Sequence, residues 1–223
     1  TVAAEIAHEI RYPINYFRTL FERSARKVEL TDDDIDVGRE EVERLERLVS
    51  GLKRMAAHRI ERLPTTLSEL ALRVGTLLRD SLDRRRIETD LGHGVTLRCD
   101  ADKMTQVLAN LLSNALEACG PNGRIGICWR PLENGGGELA VWDDGPGFVG
   151  DPSRLFAPWY TTKPRGTGLG LAITHRLVRA HGWSIAAHIG DSRTQFVVTV
   201  RGEDIVRESE PAELPKKSAA RVA

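Results

Sequence analysis

The sequence predicts an all-α helical hairpin over residues 1–63, then a mixed α/β unit over 64–203, with a disordered tail or linker over 204–223. Three observations carry this division. Apolar residues recur at alternating spacings of three and four through two long segments before residue 57. Pro64 then stops that pattern, and beyond it short strand-like runs alternate with helical segments and Gly-rich turns.

Composition narrows the function classes. The chain has 223 residues with 32 Lys and Arg against 32 Asp and Glu, so charge gives no support to a nucleic-acid partner. Hydrophobic residues at 41% and charged residues at 29% describe a globular chain able to build a core. Cys99, Cys119 and Cys128 form no CxxC pair and are odd in number, which suits free thiols used for packing in a reducing compartment. No apolar run approaches the ~20 residues of a membrane span, and no signal peptide is recognisable. These features predict a cytoplasmic piece. Because it opens on Thr1, it is expected to come from a longer protein whose upstream segments would hold any membrane contact.

In the first helix Ala3, Ala7, Ile10, Ile14, Phe17 and Phe21 form the seam. His8 points about 130° from that seam at ~100° per residue, which disfavours a buried core histidine. Pro13 removes one helical hydrogen bond and is expected to kink the helix just after His8 and Glu9. Thr31 followed by Asp32, Asp33 and Asp34 supplies the cap and acidic first turn of a second helix. Its seam is Val42, Leu45, Val49, Leu52 and Ala56. Two helices cannot enclose their own seam, so the hairpin predicts a homodimeric four-helix bundle.

Past Pro64, Thr66 or Thr65 caps a helix running to about Leu82. Strands are predicted from Arg86 to Asp90 and Val95 to Arg98, and Asp100 caps a helix from Ala101 to about Cys119. Gly120-Pro121-Asn122-Gly123 ends that helix. Strands from Arg124 to Arg130 and Glu138 to Trp142 flank a Gly-rich loop, and a helix from about Gly168 to His181 precedes strands Trp183 to Ile189 and Gln195 to Val200. Beyond Gly202 periodicity is lost, hence the expected tail.

Three stretches of the α/β unit carry candidate chemistry. Asn110 and Asn114 lie four apart on one helix face, either as exposed amides or as an oxygen ligand for Mg²⁺ beside a polar contact to phosphate. Asp143, Asp144, Gly145 and Gly147 follow a strand. With Gly150 they satisfy GxGxxG, but Pro146, Pro152 and Pro158 forbid the helix that a dinucleotide fingerprint needs. What remains is an Asp-Gly turn, or a loop whose glycines let a ligand approach closely. Finally Gly166, Thr167, Gly168, Leu169 and Gly170 open an amphipathic helix, so free amides and a helix N-terminus can wrap phosphate, without the pattern of a P-loop. Thr161, Thr162, Lys163 and Arg165, just upstream, supply hydroxyls and cations in what reads as a mobile lid.

The order of these motifs resembles the catalytic core of sensor histidine kinases of bacterial two-component systems. His8 to Pro13 is similar to the H box, Asn110 to Asn114 to the N box, Asp143 to Gly147 to the first G box, Phe156 to the F box and Gly166 to Gly170 to the second G box. The run from Phe156 to Lys163, close before the second G box, resembles the short-lid nitrogen-regulation and dicarboxylate-sensing subfamily. The resemblance implies an α/β two-layer ATP-binding sandwich of the histidine-kinase, topoisomerase and chaperone ATPase type. It implies that Asp143 accepts from the adenine amino group, Asn110 ligates Mg²⁺ and Asn114 supports the phosphates or the metal's waters. Lys163, with Thr162 and the backbone of Gly166 to Gly170, would hold the triphosphate, and Phe156 would anchor the lid. His8 would accept the γ-phosphoryl group, oriented by Glu9, and pass it to an aspartate of a response-regulator receiver.

Helix geometry, with no motif behind it, places that receiver near Asn15, Arg18 and Thr19. One position departs from the family pattern. Tyr12 stands one turn after His8, where relatives carry Thr or Asn that helps dephosphorylate the partner, so weak phosphatase activity is expected. The rival functions are a non-catalytic scaffold, and an ATP-driven clamp or serine kinase on the same nucleotide fold.

Overall fold

The computed structural model describes residues 2–56, 60–82, 87–148, 150–163, 167–190 and 193–206; in the two long helices, side chains are described from Ile10 onward except at 47, 48 and 50–56. Helix α1 spans Val2–Ala25 and α2 spans Asp32–Ala56, packed as a hairpin. Thr31 caps α2 reciprocally. Its hydroxyl accepts the Asp34 N–H at 3.2 Å, and the Asp34 carboxylate accepts the Thr31 N–H at 2.9 Å. Asp34 also bonds Arg23 of α1 at 2.6 Å, and its carbonyl accepts the Tyr16 hydroxyl at 2.8 Å. One acidic side chain thus caps one helix and ties it to the other. Helix α1 continues through Pro13.

Within this one chain much of the apolar seam stays open. Ile14 is 55% exposed, Phe21 71%, Val42 45% and Val49 48%.

The α/β unit contains β1 (Leu63–Thr66), α3 (Leu67–Leu77), β2 (Ile87–Asp90), β3 (Thr96–Cys99), α4 (Ala101–Cys119), β4 (Ile125–Pro131) and β5 (Gly137–Asp143). It continues through a 3₁₀ turn (Pro152–Arg154), α5 (Gly170–Ala180), β6 (Ser184–Ile189), β7 (Thr194–Val200), a second 3₁₀ turn (Gly202–Asp204) and β8 (Ile205–Val206). The larger sheet has the order β2-β4-β5-β7-β6, with β2 parallel to β4 and the other pairs antiparallel. A small antiparallel sheet, β1-β3-β8, lies beside it.

Helices cover one face of the larger sheet. Met104, Leu108, Leu111 and Leu112 of α4 join Leu139 and Val141 of β5, Val198 of β7 and Leu177 of α5 in one buried cluster. Burying each such side chain contributes ~2 kcal/mol, so this stripe holds the layers together. Asp100 caps α4 by accepting the Lys103 N–H at 3.1 Å.

The structure differs from the sequence reading at three places. Residues 63–66, read as a break with the hairpin ending at 63, form edge strand β1, where Pro64 costs no needed hydrogen bond. Helix α3 ends at Leu77, and single turns carry the chain through Leu82. The stretch expected to be a tail from 204 begins inside the fold. Asp204 is buried and accepts Trp183 Nε1 at 2.7 Å and Arg62 Nη1 at 3.1 Å, while β8 pairs with β3. Residues 207–223, the remainder of that stretch, lie outside the described residues.

The bond to Thr31, then the Arg23 guanidinium, lowers the Asp34 carboxyl to about 2. A depressed carboxylate pKa stabilises the fold above the unfolded value near 4 and loses that contribution as pH falls toward 2. Asp34→Asn is therefore expected to lower the melting temperature of the hairpin at pH 7 and to flatten its dependence between pH 4 and 2, read by circular dichroism at 222 nm.

Candidate active site

Because α4 is amphipathic, the face opposite its buried stripe presents Asn110, Asn114 and Glu117 at positions i, i+4 and i+7. These side chains border a cavity of about 270 Å³. Its far wall is the end of β5, where Asp143 is buried and accepts the Gly145 N–H through one carboxylate oxygen at 3.0 Å. Burial raises the Asp143 pKa above the ordinary carboxylate value, partly offset by that N–H and reinforced by Asp144. The sheet register sets Thr194 of β7 opposite Asp143, and both line the cavity. Asp144 does different work: it accepts the Arg124 N–H at 2.7 Å and closes the turn.

The remaining wall is the segment before α5. Lys163 donates from Nζ to Asn114 Oδ1 at 2.9 Å and to the Glu117 carboxylate. Gly168 has φ +64°, and a Cβ there would lie 2.3 Å from the carbonyl carbon of Trp159, itself at φ +66°. Only glycine allows that turn to seat against the start of α5. Gly147 at φ +85° faces the Gly190 carbonyl, where a Cβ would come within 2.8 Å.

Of the residues singled out by sequence, Asn110, Asn114, Asp143, Gly147, Thr162, Lys163, Thr167, Gly168 and Gly170 line this one cavity. Gly145 acts behind it by holding Asp143. Leu169 is buried in the core. Phe156 is not in the wall: its ring stacks on His175 at 5.3 Å and meets Phe196 at 6.3 Å, and Phe196, like Phe148 and Tyr160, lines the cavity. Gly166 lies outside the described residues. His8 and Glu9 are placed as backbone within α1, and their side chains lie outside the described set. Tyr12 is 62% exposed, with the Arg44 guanidinium 5.8 Å from its ring centre, and Asn15, Arg18 and Thr19 are exposed on the same helix.

Glu117 and Thr194 were missed. Glu117 was legible as the next position on the asparagine face, whereas Thr194 depends on strand register, which no short motif encodes.

The arrangement suits a nucleoside polyphosphate. A buried carboxylate at one end can accept from an exocyclic amino group, and a lysine and a helix N-terminus at the other attract phosphate. Among the described residues no cluster of His, Cys, Asp or Glu could hold a metal. The Asn110 carboxamide oxygen is a ligand type that Mg²⁺ accepts, with phosphate and water oxygens able to complete its shell.

Residues 99–204 match the family of histidine kinase-, DNA gyrase B- and HSP90-like ATPases, and this part of the chain has the fold of that class. Sensor histidine kinase ZraS of Escherichia coli (strain K12) is 34% identical over 199 residues, covering 82% of this chain and 41% of that protein. The C4-dicarboxylate transport sensor protein DctB of Rhizobium meliloti (strain 1021) is 33% identical over 211 residues, covering 90% and 34%. Histidine kinase ThkA, solved in complex with response regulator protein TrrA, shares the fold with a TM-score of 0.70 at 24% identity, over 89% of this chain and 60% of that one. The chain belongs to the sensor histidine kinases. It spans less than half the length of the curated relatives it matches here. Among the described residues no helix is long and apolar enough to cross a membrane.

A raised carboxylate pKa means the charged form is less favoured in the folded than in the unfolded state, so Asp143 lowers stability above its folded pKa. Asp143→Asn keeps an acceptor for Gly145 and removes the charge. We expect an equal or higher melting temperature at pH 7 and at least tenfold weaker adenine-nucleotide binding by calorimetry; a lower melting temperature with unchanged binding would contradict this assignment.

Proposed function

We propose that this chain is the catalytic core of an ATP-dependent autophosphorylating protein-histidine kinase acting in two-component signalling. The observation that carries the proposal is the convergence of Asp143, Asn110, Asn114, Lys163 and the Gly168–Gly170 turn on one cavity. The α/β unit binds ATP, with Asp143 on the adenine amino group and Lys163 and the amides before α5 on the triphosphate. Asn110 would hold Mg²⁺, which would supply neutralisation of the phosphate charge. The pair of helices α1 and α2 forms the dimerisation and phosphoacceptor hairpin, supported by the open seam at Ile14, Phe21, Val42 and Val49, which a second copy would cover.

The neutral imidazole of His8 attacks the γ-phosphorus in line. A nitrogen–phosphorus bond forms, the bond to the bridging oxygen breaks, and ADP leaves. Glu9 orients the ring and accepts the proton from its other nitrogen. A response-regulator aspartate then takes the phosphoryl group, with its receiver docked on the exposed side of α1 at Asn15, Arg18 and Thr19. We place the chain in the cytoplasm.

Incubation with γ-labelled ATP and Mg²⁺ should give acid-labile, alkali-stable label that His8→Ala abolishes while nucleotide binding persists. Acid-stable label, or label retained in His8→Ala, overturns the proposal. Tyr12 fills the position one turn after His8 with an exposed phenol under Arg44. A phenol reaches past the place where an amide would hold water, so Tyr12→Asn should accelerate dephosphorylation of the partner several-fold; equal, brisk rates in both proteins would refute that role.

A further inference from the structure

Asn110 is the only protein oxygen we assign to the divalent cation, yet a carboxamide has two different ends. What decides which end enters the cavity is found on α5. Thr174 is 1% exposed, and its hydroxyl accepts the Asn110 Nδ2–H at 2.8 Å. Gly170 stands one turn earlier on the same helix face, and a Cβ there would come within 2.5 Å of Asn110 Oδ1. The carboxamide therefore lies across the first turn of α5, with its nitrogen held at Thr174 and its oxygen in the space that Gly170 leaves, on the cavity wall.

We infer that Thr174 is a positioning residue for divalent-cation binding: it fixes the Asn110 carboxamide so that its oxygen, not its NH₂ group, is presented to the cation. The inference rests on the assignment of Asn110 as cation ligand. Without the hydroxyl, one amide proton loses its partner in the core and the carboxamide loses its anchor, so it can turn and bring donor hydrogens to where a cation must sit. Partners that orient metal ligands are typically worth 10–100-fold in affinity.

The test is the Mg²⁺ dependence of nucleotide binding, measured with a fluorescent ATP analogue on the whole chain. Thr174→Val preserves volume and removes the acceptor, and should raise the Mg²⁺ concentration for half-maximal binding about tenfold. Binding in EDTA should be unchanged. Thr174→Ser should behave as the parent, and Thr174→Ala substitutes should the valine variant not fold.

Asn110→Ala separates the two levels of the argument. If it retains the parent's Mg²⁺ dependence, the cation assignment itself fails. If it loses that dependence while Thr174→Val and Thr174→Ala do not shift it, the role of Thr174 is overturned. An equal loss in Mg²⁺ and in EDTA for the Thr174 variants also overturns it, because the defect then lies in the pocket as a whole.

Discussion

Everything in the α/β unit depends on how the apolar stripe of α4 packs on the sheet. Met104, Leu108, Leu111 and Leu112 lock the helix rotationally against β5 and α5, and a helix so fixed has no freedom in what it presents on its other side. Asn110, Asn114 and Glu117 face the cavity because the leucines face the core. The same packing sets the height of α4 relative to the end of β5, where Asp143 sits. A core residue here is thus also a determinant of site geometry.

Much of this was legible in the sequence because it is local. The α4 boundaries at Ala101 and Cys119 follow from Asp100 as cap and the glycine-rich turn at 120–123, both short-range signals. The convergence of Asn110, Asp143, Lys163 and Gly168 could be reached only through family resemblance, since no periodicity links positions so far apart. What escaped was set by tertiary pairing. Strand β8 has two residues, too few to carry an alternation, and exists because β3 offers it an edge. Phe156, read from its motif as the lid's anchor, packs against Phe196, a cavity residue that β7 places and no motif marks.

A buried polar hub joins the start of the unit to its end. Asp204 accepts from Trp183 and Arg62, Arg62 also donates to the His181 carbonyl at 2.7 Å, and Asp100 accepts the Glu61 N–H at 3.2 Å. His181 accepts the Asp100 N–H at 3.1 Å, and burial lowers its imidazole pKa, which keeps that nitrogen an acceptor. Residues 61 and 62, though assigned by sequence to the hairpin, are therefore anchored in the α/β unit.

The ion pair of Lys163 with Glu117 gives the end of the cavity where we place the phosphates its own counter-ion. A lysine left bare would attract any small anion in its surroundings, orthophosphate included. With a carboxylate already in place, an incoming anion must outcompete a covalently tethered charge at high effective concentration. A singly or doubly charged ion bound only through this cation gains little by the exchange. A ligand that brings several phosphate groups and is also held at its far end can displace the carboxylate and keep the lysine. The acidic residue in an anion-binding pocket then works as a threshold, which sets the minimum valence and reach a ligand must have to occupy it.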